Sequence, residues 1–92
     1  MRDKFAIDIA HHCRWALDHN DGHPLGAWST GERLAVALVL WDYDHLKAMD
    51  YTPTEAAQQV TGGMLRPPAD FVDWLNTIRA ALKSNSSKRS AR

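Results

Sequence analysis

The stretch Leu34-Ala35-Val36-Ala37-Leu38-Val39-Leu40-Trp41 places eight apolar residues in a row near the middle of a 92-residue chain. Directly before it, Ser29-Thr30-Gly31-Glu32 has the form of a capping box. The Ser29 hydroxyl is set to accept from the Glu32 N–H, and the Glu32 carboxylate to reach back to the N–H of Ser29. A helix that starts at this cap and is apolar all round must be covered on most sides, so it is expected at the centre of a domain, with Trp41 on the same buried helix. Val36 and Val39 admit a strand as the alternative, but the cap and the alanines favour helix. Beyond Trp41 the chain turns polar at Asp42-Tyr43-Asp44-His45 while Leu46 and Met49 keep helical phase. The helix is therefore extended to about Ala48, with an irregularity allowed in between.

Three further helices are predicted around it. In residues 3–18, Phe5, Ile9, Cys13 and Leu17 recur every fourth position and join Ala6, Ala10 and Ala16 in a core-facing stripe, with Ile7 and Trp15 off it. Residues 19–26 carry two glycines and a proline and read as a loop. Thr52-Pro53-Thr54-Glu55 is a second capping box with proline at the first helical position, opening a short helix over 53–61 that Gly62-Gly63 ends. Pro67-Pro68 marks the start of a last helix over 68–83, whose Phe71, Trp74, Leu75, Ile78 and Leu82 share one face. Asp70 and Asp73 near its start, and Arg79 and Lys83 near its end, complement the helix macrodipole. The expected fold is all-α: a compact bundle of about four helices at 3–18, 30–48, 53–61 and 68–83.

The formal charge of zero conceals an asymmetry. Residues 1–82 hold seven bases and eleven acids, a net of −4, whereas residues 83–92 hold four bases and no acid. From Ser84 onward the chain is too polar to offset an ordering entropy of ~1–2 kcal/mol per residue, so residues 84–92 are expected to form a disordered basic tail behind a single domain over 1–83. The neutral total removes the basic signature of most nucleic-acid binders, although Lys88, Arg89 and Arg92 keep a contact with nucleic acid or an acidic partner open. No apolar run reaches the ~18 residues of a membrane span, and Met1-Arg2-Asp3-Lys4 lacks the apolar stretch of a secretory signal. The expected location is the cytoplasm.

Reactive constellations are weak. Cys13, His19 and His23, with His11 and His12 nearby, supply three zinc-ligand types, but their spacing matches no metal pattern, and Gly22 and Pro24 keep the histidines off a shared helix. Cys13 falls on the apolar stripe, where a thiol behaves as a small hydrophobe and loses reactivity. Asp18-His19-Asn20-Asp21-Gly22 resembles a calcium loop only until its glycine falls at the fifth position and Ser29 at the twelfth. Asp42 and Asp44 point to different helix faces and, with Asp50, read as a solvated acidic edge. No glycine-rich phosphate loop is present. No metal, cofactor or catalytic set is assigned.

Two binding features remain. Thr54 to Gly62 is similar to the first helix and turn of a helix-turn-helix module, but Met64-Leu65-Arg66-Pro67-Pro68 intervenes and the next helix opens with Asp70 and Asp73, which repel a phosphate backbone. DNA binding through residues 52–83 and the basic tail is the alternative reading. Four tryptophans are also more than so small a core accommodates. Trp28, just before the cap at Ser29, is expected to act as a staple against the Arg33 stem or Leu34, and Trp15 to cover the domain edge. Partly exposed tryptophan is a typical anchor of protein interfaces, so Trp15 and Trp28 are the candidate partner-binding residues, for another protein or for a second copy of the chain.

The text from Trp28 to Leu40, together with Tyr51-Thr52-Pro53-Thr54-Glu55-Ala56, resembles small uncharacterised accessory proteins of actinobacterial phages, mycobacterial ones included. The resemblance covers roughly residues 28–60 and brings no site residues with it. It implies a setting: a small non-enzymatic phage protein, made in the cytoplasm of a bacterial host, that acts by binding a host or phage protein.

Overall fold

The computed structural model describes the backbone of residues 3–64 and 66–90 and the side chains of 3–64 and 66–83. Among the described residues there are five helices: α1 (Lys4–His19), α2 (Thr30–Val39), α3 (Tyr43–Ala48), α4 (Pro53–Gly62) and α5 (Phe71–Ser90). The protein is all-α, as the periodicities predict. No helix among the described residues is long and apolar enough to cross a membrane. The side chains of residues 84–92, where the basic tail with Lys88, Arg89 and Arg92 is expected, lie outside the described residues.

The apolar run is the hub. Leu34 through Val39 are all buried, and α2 packs against each of the other four helices. Both capping boxes form. Ser29 Oγ accepts from the Glu32 N–H at 3.2 Å while Glu32 Oε1 accepts from the Ser29 N–H at 3.0 Å, and Thr52 and Glu55 repeat the exchange at 3.1 and 3.0 Å. α4 packs chiefly on α2, and α5 chiefly on α1. The predicted face of α5 is buried through Trp74, Leu75, Ile78 and Leu82, with Phe71 at its edge. That helix starts three residues later than its prolines imply, because Asp70 offers a better cap: its Oδ1 accepts from the Asp73 N–H at 3.1 Å.

Three expectations about the apolar stripes need correction. The single helix predicted over 30–48 is two helices, because Trp41 adopts a left-handed backbone (φ 60°) and the Asp42 N–H turns back to the Ala37 carbonyl at 2.8 Å, a Schellman-type ending with tryptophan where glycine is usual. Asp42 then starts α3 afresh, its Oδ1 accepting from the His45 N–H at 3.2 Å. The break turns Trp41 out of the core, and it is 60% exposed rather than buried with α2. On α1 the buried residues are Ala6, Ile9, Cys13 and Ala16, whereas Leu17 is 51% exposed, since at the last turn it overhangs the core and leans toward the left-handed turn at Gly22.

The ends of the fold are tied together. Asp3 caps α1 through Oδ1, which accepts from the Phe5 N–H at 2.9 Å. Its Oδ2 accepts from Trp74 Nε1 on α5 at 3.0 Å, and the Trp74 ring is stacked between Phe5 and Phe71 at centroid distances of 5.8 and 5.4 Å.

Candidate partner-binding surface

Opposite its buried stripe, α1 presents a second side to solvent, and Trp15 stands on it, 37% exposed. The ring is not free to swing. Trp28 meets it edge-to-face at 5.5 Å, and Trp28 also contacts His12 at 4.5 Å, while His19 leans on Trp15 from the helix end at 5.5 Å. The two candidate residues are therefore one aromatic unit. Trp28 is half-buried against the core, and its ring partners come from α1.

Polar groups brace this unit from beneath. His12 Nδ1 lies 2.6 Å from the Asp8 carbonyl oxygen and Nε2 lies 3.0 Å from Glu32 Oε2. The same Glu32 closes the α2 capping box, and the backbone N–H it accepts from Ser29 holds its carboxyl below the ordinary carboxylate value. Cap, histidine and tryptophans thus fix one another's positions where α1 crosses α2.

A second aromatic pair lies at the α2–α3 break, where Trp41 meets Tyr43 edge-to-face at 6.2 Å. One face of the Trp41 indole is covered by the Arg79 guanidinium, 3.8 Å from the ring centroid. Arg79 does not serve the end of its own helix, as the charge pattern of α5 predicts. Its Nε donates to the Val39 carbonyl at 2.8 Å, one terminal nitrogen to the Leu38 carbonyl at 2.6 Å and the other to Asn76 Oδ1 at 2.9 Å, so it caps the C-terminus of α2 from a neighbouring helix. Burial holds the Arg79 guanidinium below its ordinary value.

Asp42 also departs from the expected solvated acidic edge: its side chain is only 7% exposed. Its Oδ2 lies 2.7 Å from His23 Nδ1, which fastens the loop after α1 to the start of α3. The hydrogen bond and charge of Asp42 raise His23 above the ordinary imidazole value. His45, one turn on, moves the other way, lowered by burial and then by Arg33. Its Nε2 and the Arg33 Nε are both buried without a hydrogen-bond partner.

The zinc set is dispersed. Cys13 is fully buried and its thiol is pushed up to about 12 by burial, His23 is held by Asp42, and His19 lies against Trp15. No group of three or more metal-ligating side chains converges among the described residues. In the segment similar to a helix-turn-helix module, residues 63–70 separate α4 from α5, against the 3–4-residue turn of that motif, and the two helices each pack mainly on a different partner. An open groove of about 940 Å³ runs between the starts of α1 and α2 and the end of α4, with Phe5, Val60 and Met64 on its apolar side and Lys4 and Arg66 on its rim.

Arg79, Asp42 and the exposure of Trp41 were not visible in the sequence, since all three depend on the chain breaking after Leu40. The available signal was Asp42 itself, an N-cap residue type standing three positions before His45. No protein-family model, curated protein or solved structure matches this chain.

Proposed function

We propose that the chain is a non-enzymatic protein-interaction module that uses the Trp15–Trp28 surface as its contact. The observation that carries this reading is a tryptophan held on the surface by a second tryptophan and a histidine. Such a ring offers a large apolar area that has already lost its rotamer freedom, which lowers the entropy that binding would otherwise cost. His12 and Glu32, the titratable pair beneath the rings, are occupied in capping and bracing, which favours a contact surface over a catalytic one. The resemblance of residues 28–60 to small actinobacterial phage proteins supports a setting in a bacterial cytoplasm, as an accessory protein that engages a host or phage partner.

DNA binding through residues 52–83 has less support, given the long α4–α5 connection and the aspartates that open α5. Its signature would be duplex affinity that falls steeply with salt. The contact surface is tested with Trp15→Ala, whose ring is away from the core. Proteins retained from a bacterial lysate by the native chain, and its own sedimentation behaviour, are compared with those of the variant. If neither changes, Trp15 is not a contact residue and the reading falls.

A further inference from the structure

α3 is joined to the fold by two unusual backbone turns. α2 and α3 both end in Schellman turns, and at each the left-handed position usual for glycine holds a larger residue, Trp41 (φ 60°) and Asp50 (φ 64°). In the second turn the Asp50 N–H donates to the Lys47 carbonyl at 3.0 Å and the Tyr51 N–H to the Leu46 carbonyl at 2.9 Å. Between the two turns lie the six residues of α3, of which Leu46 alone is fully buried. α4 packs chiefly on α2, so its seat does not depend on α3.

His45, on α3, is half-buried, and its Nε2 is fully buried with no hydrogen-bond partner, as is Nε of Arg33 on α2. An imidazolium carries a proton on both ring nitrogens, so charging His45 in place buries an N–H that has no acceptor. Arg33 and His23 also oppose that charge, and Asp42 favours it. Asp42 is already committed, one oxygen accepting from the His45 backbone N–H and the other holding His23. Glu55, the titratable side chain of α4, is turned to its own cap at Thr52, and Tyr43, Asp44 and Lys47 of α3 are exposed.

We propose that α3 is a flap, hinged at Trp41 and Asp50, that swings off α2 when His45 takes up a proton, while the other four helices stay packed. Outside, the imidazolium is solvated and Arg33 is relieved of a like charge. Both left-handed turns relax as well, and Leu46, 1% exposed in the closed fold, is uncovered. His23 acts in the opposite sense, because its proton strengthens the hold on Asp42. The flap is therefore held most firmly where His23 is charged and His45 is neutral, and it opens on further acidification.

Amide hydrogen exchange of the full chain, read by NMR as protection relative to an unstructured chain, tests the flap from about pH 8 to about pH 5, where imidazoles titrate. The amides of Met49, Asp50 and Tyr51, which donate to carbonyls of α3, lose protection about tenfold per pH unit between the closed and open values of His45. Those within α1, α2 and α4 keep theirs. His45→Phe retains a ring that takes no proton, and its α3 stays protected throughout; should thermal melts show it unfolded, His45→Gln takes its place. Asp50→Gly puts at the hinge the residue a left-handed turn favours, and moves the opening to lower pH. Protection of α3 that does not change with pH, or that falls together with that of α1 and α2, overturns the flap. Loss that persists in the neutral variant overturns His45 as its trigger. An Asp50→Gly chain that opens at the same pH as the native one overturns the hinge.

Discussion

Arg79 does for α2 what no residue of α2 does for itself. The run from Leu34 to Val39 contains no side chain able to satisfy the carbonyls at its end, and the guanidinium of α5 supplies donors for two of them while covering the exposed Trp41 ring. Arg79→Ala is expected to cost about 2 kcal/mol in urea unfolding, the scale of charge-assisted hydrogen bonds lost from a partly buried site. Arg79→Lys should recover only part of this, because an ammonium cannot reproduce the planar fork. The histidines give a second residue-scale test. An NMR titration should find His23 protonating above 6.5, through its contact with Asp42, and His45 below it, through burial. The signs follow from linkage. The His23 contribution to stability is full below the unfolded imidazole value and is lost as pH rises through the folded one. His45, preferring the neutral form in the fold, erodes stability as pH falls below the unfolded value until its own folded value is passed. His23→Gln should therefore remove the loss on the alkaline side and leave the acidic-side loss in place.

Among the elements, the starts of α2 and α4 were the most legible, because a capping box is a local device: two side chains and two backbone N–H groups within four residues. Ser29→Ala and Thr52→Ala should each lower stability by about 1 kcal/mol, and the double variant by nearly their sum, since the caps share no partners. Additivity is read from the urea midpoints, and a double variant no worse than either single one would mean that the two caps act on one coupled unit. The helix faces on α1 and α5 were legible for the same reason, periodicity being local. Leu17 and Trp41 were not. Each is apolar and in phase with a buried face, yet each lies at a helix end, Leu17 in the last turn of α1 and Trp41 where the chain turns left-handed. The candidate site was legible in its residues, Trp15 and Trp28, and illegible in its geometry. Trp28 belongs to the loop before α2, while the ring it contacts belongs to α1.

At the scale of the whole molecule, a central helix surrounded by four others leaves few routes by which solvent reaches the core. Cys13 reports on this directly. Fully buried on α1, with its thiol pushed up to about 12, it should resist an aromatic disulfide reagent under native conditions and react at once in denaturant. Rapid reaction of the native chain would mean that α1 opens away from α2 and α5 far more easily than its packing implies. The same arrangement governs assembly during synthesis. Asp3 begins the first helix, and the indole that completes its hydrogen bonding lies 71 residues downstream. A ribosome that has released α1 through α4 has therefore delivered a hub helix still open on the flank that α5 will cover. Until the last helix emerges, the nascent chain carries that apolar strip uncovered, and a stalled or truncated product missing residues beyond Phe71 would be met by chaperones and proteases as an unfinished core.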